Sequence, residues 1–251
     1  MGVFWLFTGL PLIASRLCGA RSLTMLVRGV LTTMSGSLGG ITAARNKGGQ
    51  YLRARVVPVD PGSFYQTALR TIFGQLAVLW SSTLTAAQRT AWDTYAANVT
   101  VVNRIGETVN LTGLQMYIRS NTPRLQAGKP RVDAGPVVMS LPAFSPFSMT
   151  VAGGGATLSI SFTDTDAWAN LDDSCAIILG AREQAPTINF FKGPYRFASR
   201  IDGLTAGPPT SPASVTSPFS YTSGNKAFAQ VRISLADGRL STVQRLEAIA
   251  S

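Results

Sequence analysis

Apolar residues recur at two different spacings along this chain, and the change of period divides it. From Phe64 the spacing is helical: Phe64, Leu69, Ile72, Phe73, Leu76, Leu79 and Trp80 fall on one side of a helix and predict one buried face. Pro61-Gly62-Ser63 provides the start, with Ser63 placed to cap. Ser81-Ser82-Thr83 breaks the pattern, and Thr85 with Gln88 has capping-box spacing for a second helix whose apolar face is Trp92, Tyr95, Ala96 and Val99. A break this short predicts an αα-hairpin, with Trp80 and Trp92 as core near its corner. Val101, Val102 and Ile105 around Asn103 and Gly106 suit a small β-hairpin. Thr112 and Gln115 repeat the capping-box spacing and predict a third helix that buries Leu114, Tyr117 and Ile118. It should end near Asn121, because Pro123 disfavours helix before it.

Beyond residue 147 the period becomes two. Thr157 to Phe162 alternates, and Cys175 to Leu179 is a continuous apolar run. Further strand candidates are Thr187 to Phe191, Tyr195 to Ile201, Phe219 to Tyr221, Ala227 to Leu235 and Ser241 to Ile249, with Asp237-Gly238 as a turn before the last. Short strands at this density predict an antiparallel β-sandwich of immunoglobulin or fibronectin-III type. The Cys-Trp-Cys spacing of antibody domains is missing, which favours the fibronectin-like variant. The expected fold class is therefore α+β. A Pro-rich linker over 131–147 would join a helical module at 63–130 to a sandwich at 148–251.

Residues 34–62 form a third region, a basic arm punctuated by glycine. Tyr51-Leu-Arg-Ala-Arg-Val-Val alternates as a half-exposed strand, with Arg53 and Arg55 on one face and Pro58 and Pro61 beyond it. No G-x-x-x-x-G-K-[ST] string accompanies the glycines, so a phosphate loop is not expected. Residues 1–33 read as an upstream extension, because Met34-Ser-Gly-Ser-Leu-Gly-Gly has the character of a natural start. Val3 to Ala14 is too short to span a membrane, and nothing basic precedes it as in a secretory signal.

Charge sharpens this division. The chain of 251 residues has a net charge of +10. Residues 1–59 carry seven bases and no acid, 60–135 seven bases and four acids, and 136–251 eight of each, so the whole excess precedes residue 136. An acidic partner is expected for the N-terminal half, with Arg45, Lys47, Arg53 and Arg55 as the partner-binding candidates. Specific DNA reading is not expected, since the second helix holds one arginine, Arg89, and also Asp93.

Catalytic chemistry finds little to stand on. No histidine occurs, Cys18 and Cys175 lie far apart, and no nucleophile–base pair is visible. Asp164, Asp166, Asn170, Asp172 and Asp173 share one stretch but fail the EF-hand pattern. No enzyme activity, catalytic residue, metal or cofactor is expected.

Several stretches in register carry a resemblance. They are Arg45-Asn-Lys-Gly-Gly-Gln-Tyr-Leu-Arg, Pro58 and Pro61, Gln66 and Arg70, Leu84-Thr-x-x-Gln-Arg89-x-Ala-Trp92, Leu111-Thr-Gly113 and Tyr117-Ile-Arg-Ser-Asn121. Over about residues 34–125 the chain resembles small structural proteins of tailed bacteriophages. The resemblance implies a non-enzymatic virion component of the capsid, head–tail junction or tail. Its partners would be other virion proteins and copies of itself, with non-specific nucleic-acid contact through the arm and neither a membrane nor a small-molecule substrate. Two other readings stay open. One is a carbohydrate or surface adhesion module using Phe190, Phe191, Tyr195 and Phe197; the other is nucleic-acid binding through the arm.

Overall fold

A computed structural model describes residues 24–26, 35–46, 49–57, 59–103 and 106–251. Most of the upstream stretch 1–33, Met34, Cys18, Lys47, Pro58 and Ile105 lie outside these residues. The chain divides into two compact units, with the boundary after Pro61.

In the first unit the strands are β1 (Thr24–Leu26), β2 (Gly36–Leu38), β3 (Ile41–Asn46) and β4 (Gly49–Ala54). They form one antiparallel sheet in the order β1-β4-β3-β2. The sequence assigns Thr24–Leu26 to the upstream extension, yet it pairs with β4, Thr24 opposite Arg53.

The second unit begins with α1 (Phe64–Ser82), α2 (Ala86–Asn98) and α3 (Gly113–Gln126). A two-stranded ribbon of β5 (Thr100–Val102) and β6 (Thr108–Asn110) lies between α2 and α3. Both predicted capping boxes are present. The Thr85 amide donates to Gln88 Oε1 at 2.8 Å and the Gln88 amide returns to Thr85 Oγ1 at 3.3 Å. Thr112 and Gln115 make the same exchange at 3.0 and 3.3 Å. Ser63 occupies the cap position of α1 but its side chain makes no capping bond.

Two helical expectations need correction. Of the apolar stripe on α1, Leu76 alone is buried; Leu69, Ile72, Leu79 and Trp80 are half-buried, Phe73 is exposed, and Phe64 is 80% exposed. Its apolar stripe is wider than the cover that α3 gives it. The third helix runs through Pro123 to Gln126. A proline there forfeits one backbone donor. The turn is held instead by side chains: Asn121 Nδ2 donates to the Tyr117 carbonyl at 3.1 Å and Thr122 Oγ1 to that of Ile118 at 2.7 Å.

Trp92 and Tyr117 anchor the helical core, where Trp80 and Trp92 each lie 5.6 Å from the Tyr117 ring. Residues 131–133, expected to open the linker, close over this core. Trp92 Nε1 donates to the Asp133 carbonyl at 3.0 Å, Tyr117 Oη to Asp133 Oδ1 at 3.1 Å, and Arg131 Nε to the same oxygen at 2.7 Å. The Val132 amide donates to Asn121 Oδ1 at 2.7 Å. Asp133 therefore satisfies two buried aromatic donors that would otherwise each be costly.

The remaining strands are β7 (Ser148–Val151), β8 (Gly155–Ser161), β9 (Cys175–Gly180), β10 (Arg196–Asp202), β11 (Ala213–Tyr221), β12 (Lys226–Ser234) and β13 (Gln244–Ile249). They form two antiparallel sheets, β11-β8-β7 and β10-β9-β12-β13. Both contribute to one apolar core: Met149, Leu158, Ile160 and Val215 from the first, Ile178, Val231, Ile233 and Leu246 from the second. The fold is α+β, and helices and sheets share the compact unit 62–251, which the sequence reading divides into module, linker and sandwich.

Two strand expectations also change. Ser148–Val151 is an additional strand, β7. Thr187 to Phe191 joins no ladder, because its aromatics pack singly: Phe191 stacks on Phe228 with ring centres 5.7 Å apart. The Asp237-Gly238 turn is present before β13, with Gly238 at φ 89°.

Candidate interaction surfaces

The basic hairpin is the surface that the charge distribution singles out. In the register of β3 and β4, Thr42 lies opposite Arg53, Ala44 opposite Tyr51, and Arg45 opposite Gln50. Side chains of paired residues share a face. Arg53 therefore lies with Tyr51, and Arg45 lies on the opposite side with Leu52. The Arg55 amide continues the ladder to the Gly40 carbonyl at 2.8 Å, which keeps Arg55 on the Arg53 face. Arg45, Arg53 and Arg55 are all exposed, and none of them pairs with an acid among the described residues. The hairpin thus offers positive charge on both faces.

In this first unit none of residues 35–37, 39–45, 49–57 and 59–61 is fully buried. These residues supply no dry core of their own, whereas sheets of this size need an apolar face covered to be stable alone. Beyond Arg55 the chain exposes Val56, Val57 and Val59, the last at 89%. The sequence reading places Val56 and Val57 at the end of a strand that includes Tyr51; the strand ends instead at Ala54, which leaves both valines beyond it.

The aspartate-rich stretch does not converge. Asp166 accepts from the amide and hydroxyl of Ser145, each at 2.8 Å, and Asp172 Oδ1 from the Thr205 amide at 2.8 Å. Asp173 faces Lys129 at 3.9 Å. Asp166 and Asp172 each tie down a separate loop, and no group of three metal-ligating side chains is found among the described residues.

Of the aromatic set proposed for adhesion, Phe190, Phe191 and Tyr195 line one pocket together with Phe228 and Arg245, and Phe197 lies apart from them. Phe190 is exposed beneath the Arg245 guanidinium, 4.7 Å from its ring centre. Phe191 and Tyr195 pack edge to face and half-bury each other, and Phe197 packs instead against Ala127, Cys175 and Ile177. Among the described residues, no helix is long and apolar enough to cross a membrane.

No protein-family model matches the chain, and no curated protein matches it.

Proposed function

We propose that this protein is a non-enzymatic structural component of a tailed-bacteriophage particle, working through protein–protein assembly. One observation carries the reading. The sheet of β1 to β4 is basic, carries exposed arginines on both faces, and has no fully buried residue among residues 35–37, 39–45 and 49–54. A sheet so constituted gains its missing cover by docking on a neighbouring subunit, and its arginines select an acidic one. The exposed run Val56, Val57, Val59 and Phe64 adds apolar surface of the kind that assembly buries.

In this reading the two sheets at 148–251 are a fibronectin-III-like sandwich. Their strand order supports it. The first, second and fifth strands form one sheet, and the fourth, third, sixth and seventh the other. Relative to an immunoglobulin constant domain, the fourth strand has moved to the third-sixth-seventh sheet. The sandwich would project from the particle or bridge neighbours, while the basic hairpin attaches.

The test is mass spectrometry of particles purified from the source. The protein is expected in many copies per particle, with the hairpin protected from protease there and cleaved in the free chain. Its absence from particles, or equal cleavage in both states, overturns the reading.

A further inference from the structure

The outer face of β9 and β12 meets α3 imperfectly. Ile177, Leu179, Gln230 and Arg232 point away from the two-sheet core, because their neighbours Ile178, Val231 and Ile233 fill it. Between this face, α3 and Phe73 of α1 lies a cavity of about 530 Å³. That volume is typical of pockets for small organic ligands. Ile177, Leu179, Ile118 and Phe73 give it an apolar lining, and Arg119 and Arg232 enter it from opposite walls.

These two arginines are unusual in what surrounds them. Neither forms an ion pair among the described residues. Arg119 Nη1 is buried and has no hydrogen-bond partner. Burial holds both guanidiniums below their ordinary range, and the Arg119 charge lowers Arg232 further, to about 10. The titratable group nearest to Arg119 in effect is the Tyr95 hydroxyl, itself raised by burial and so neutral at pH 7. Arg124, on the same helix, shows the ordinary solution: four acceptors surround it. Two cations lining one apolar cavity, neither of them neutralised by an acid, make a site complementary to an anion with an apolar body.

We propose that this cavity binds a small amphipathic carboxylate, its acid between Arg119 and Arg232 and its hydrocarbon against Ile118, Ile177, Leu179 and Phe73. A guanidinium presents paired donors that match a carboxylate's two oxygens. The apolar lining contributes by burial of the tail. A bare inorganic anion would leave that lining wet. This site is separate from the hairpin surface and does not depend on the assembly role.

The experiment titrates the full-length protein with 4-phenylbutyrate and, in parallel, with 4-phenylbutan-1-ol, following the Ile118 and Ile177 methyl resonances. Charge-assisted hydrogen bonds predict that the acid binds at least about tenfold more tightly than the alcohol. Arg232→Gln should bring that ratio close to one, and Arg232→Lys should keep most of it. Arg119→Gln provides the same test should the position 232 variants fold poorly. Equal affinity for acid and alcohol, or unmoved methyls at millimolar acid, overturns the proposal. So does a shift of the same methyls on concentrating the ligand-free protein, which would make a second copy the occupant.

Discussion

Arg124 Nη1 donates to the carbonyl oxygen of Leu235 at 2.8 Å, joining the last turn of α3 to the end of β12 across 111 positions of sequence. The same nitrogen reaches Ser234 Oγ at 3.1 Å and the Asp173 carbonyl at 3.3 Å, while Nε donates to Pro130 at 3.1 Å. The side chain is buried and solvated by protein oxygens in place of water. Arg124→Ala removes these bonds and opens a cavity, so it should cost about 3 kcal/mol or more. Arg124→Met fills the space without a buried charge and should cost less. Urea denaturation of the three proteins checks the order; equal midpoints would show that Arg124 does not couple helix and sheets.

Gly135 lies against the backbone of α2. A methyl there would sit 2.6 Å from the Ala91 carbonyl carbon and 2.6 Å from the Trp92 nitrogen, so Gly135→Ala must displace a helix. A loss of about 1–3 kcal/mol is expected. Gly74, inside α1, has nothing within 4 Å of the same added atom. Gly74→Ala should therefore stabilise by up to about 1 kcal/mol through helix propensity. Thermal melting of both variants gives opposite signs if 131–147 is packed, and two small gains if it is a free linker.

The sequence disclosed what local chemistry decides. Thr85 with Gln88 and Thr112 with Gln115 start their helices through bonds spanning three residues, and the alternation at Thr157 to Phe162 marks a strand wherever it packs. Depth of burial was not legible, since it depends on distant elements. Phe64 and Phe73 repeat at helical spacing, yet their exposure follows from how little of α1 is covered. The packing of the 131–147 connection was not legible for a related reason. Pro136 and its neighbours have loop composition, but Asp133 satisfies Trp92 and Tyr117, which no composition encodes. Of the four basic candidates, the alternation correctly put Arg53 and Arg55 together, and Arg45 faces the other way. Arg119 and Arg232 could not be brought together from sequence, because they belong to α3 and β12.

Cys175 is fully buried beside Ile177 and Ala127, and burial pushes its thiol up to about 11. In the folded chain at pH 8 it is a neutral thiol and a poor nucleophile. A thiol-reactive dye should label it only after denaturation, at a rate set by unfolding. The raised value also has a stability consequence. Below the unfolded thiol value near 8.5 the folded state is not penalised. Between that value and about 11 the unfolded chain ionises first, so stability falls as pH rises. Cys175→Ala should remove that part of the alkaline slope in a pH series of unfolding midpoints.

Asp202 closes the acid side of the range. Burial opposes its ionisation, but bonds from Lys129 and Arg200 outweigh burial and hold its carboxyl below the usual range. Lys129 Nζ lies 3.0 Å from Asp202 Oδ1, and Arg200 Nε 3.0 Å from the same oxygen. Arg200 also donates to the Ala127 carbonyl, so Asp202 ties β10 to the end of α3 through both cations. For a depressed carboxyl the stabilisation is present above the unfolded value, about 3.9, and is lost as pH falls through the lower folded value. The melting temperature should therefore drop more steeply below about pH 4 in the parent than in Asp202→Asn. Near pH 7 the variant should melt lower than the parent, and the two curves converge in acid. Parallel curves across the whole range would mean that the Lys129–Asp202–Arg200 cluster adds nothing to the docking of helix on sheet.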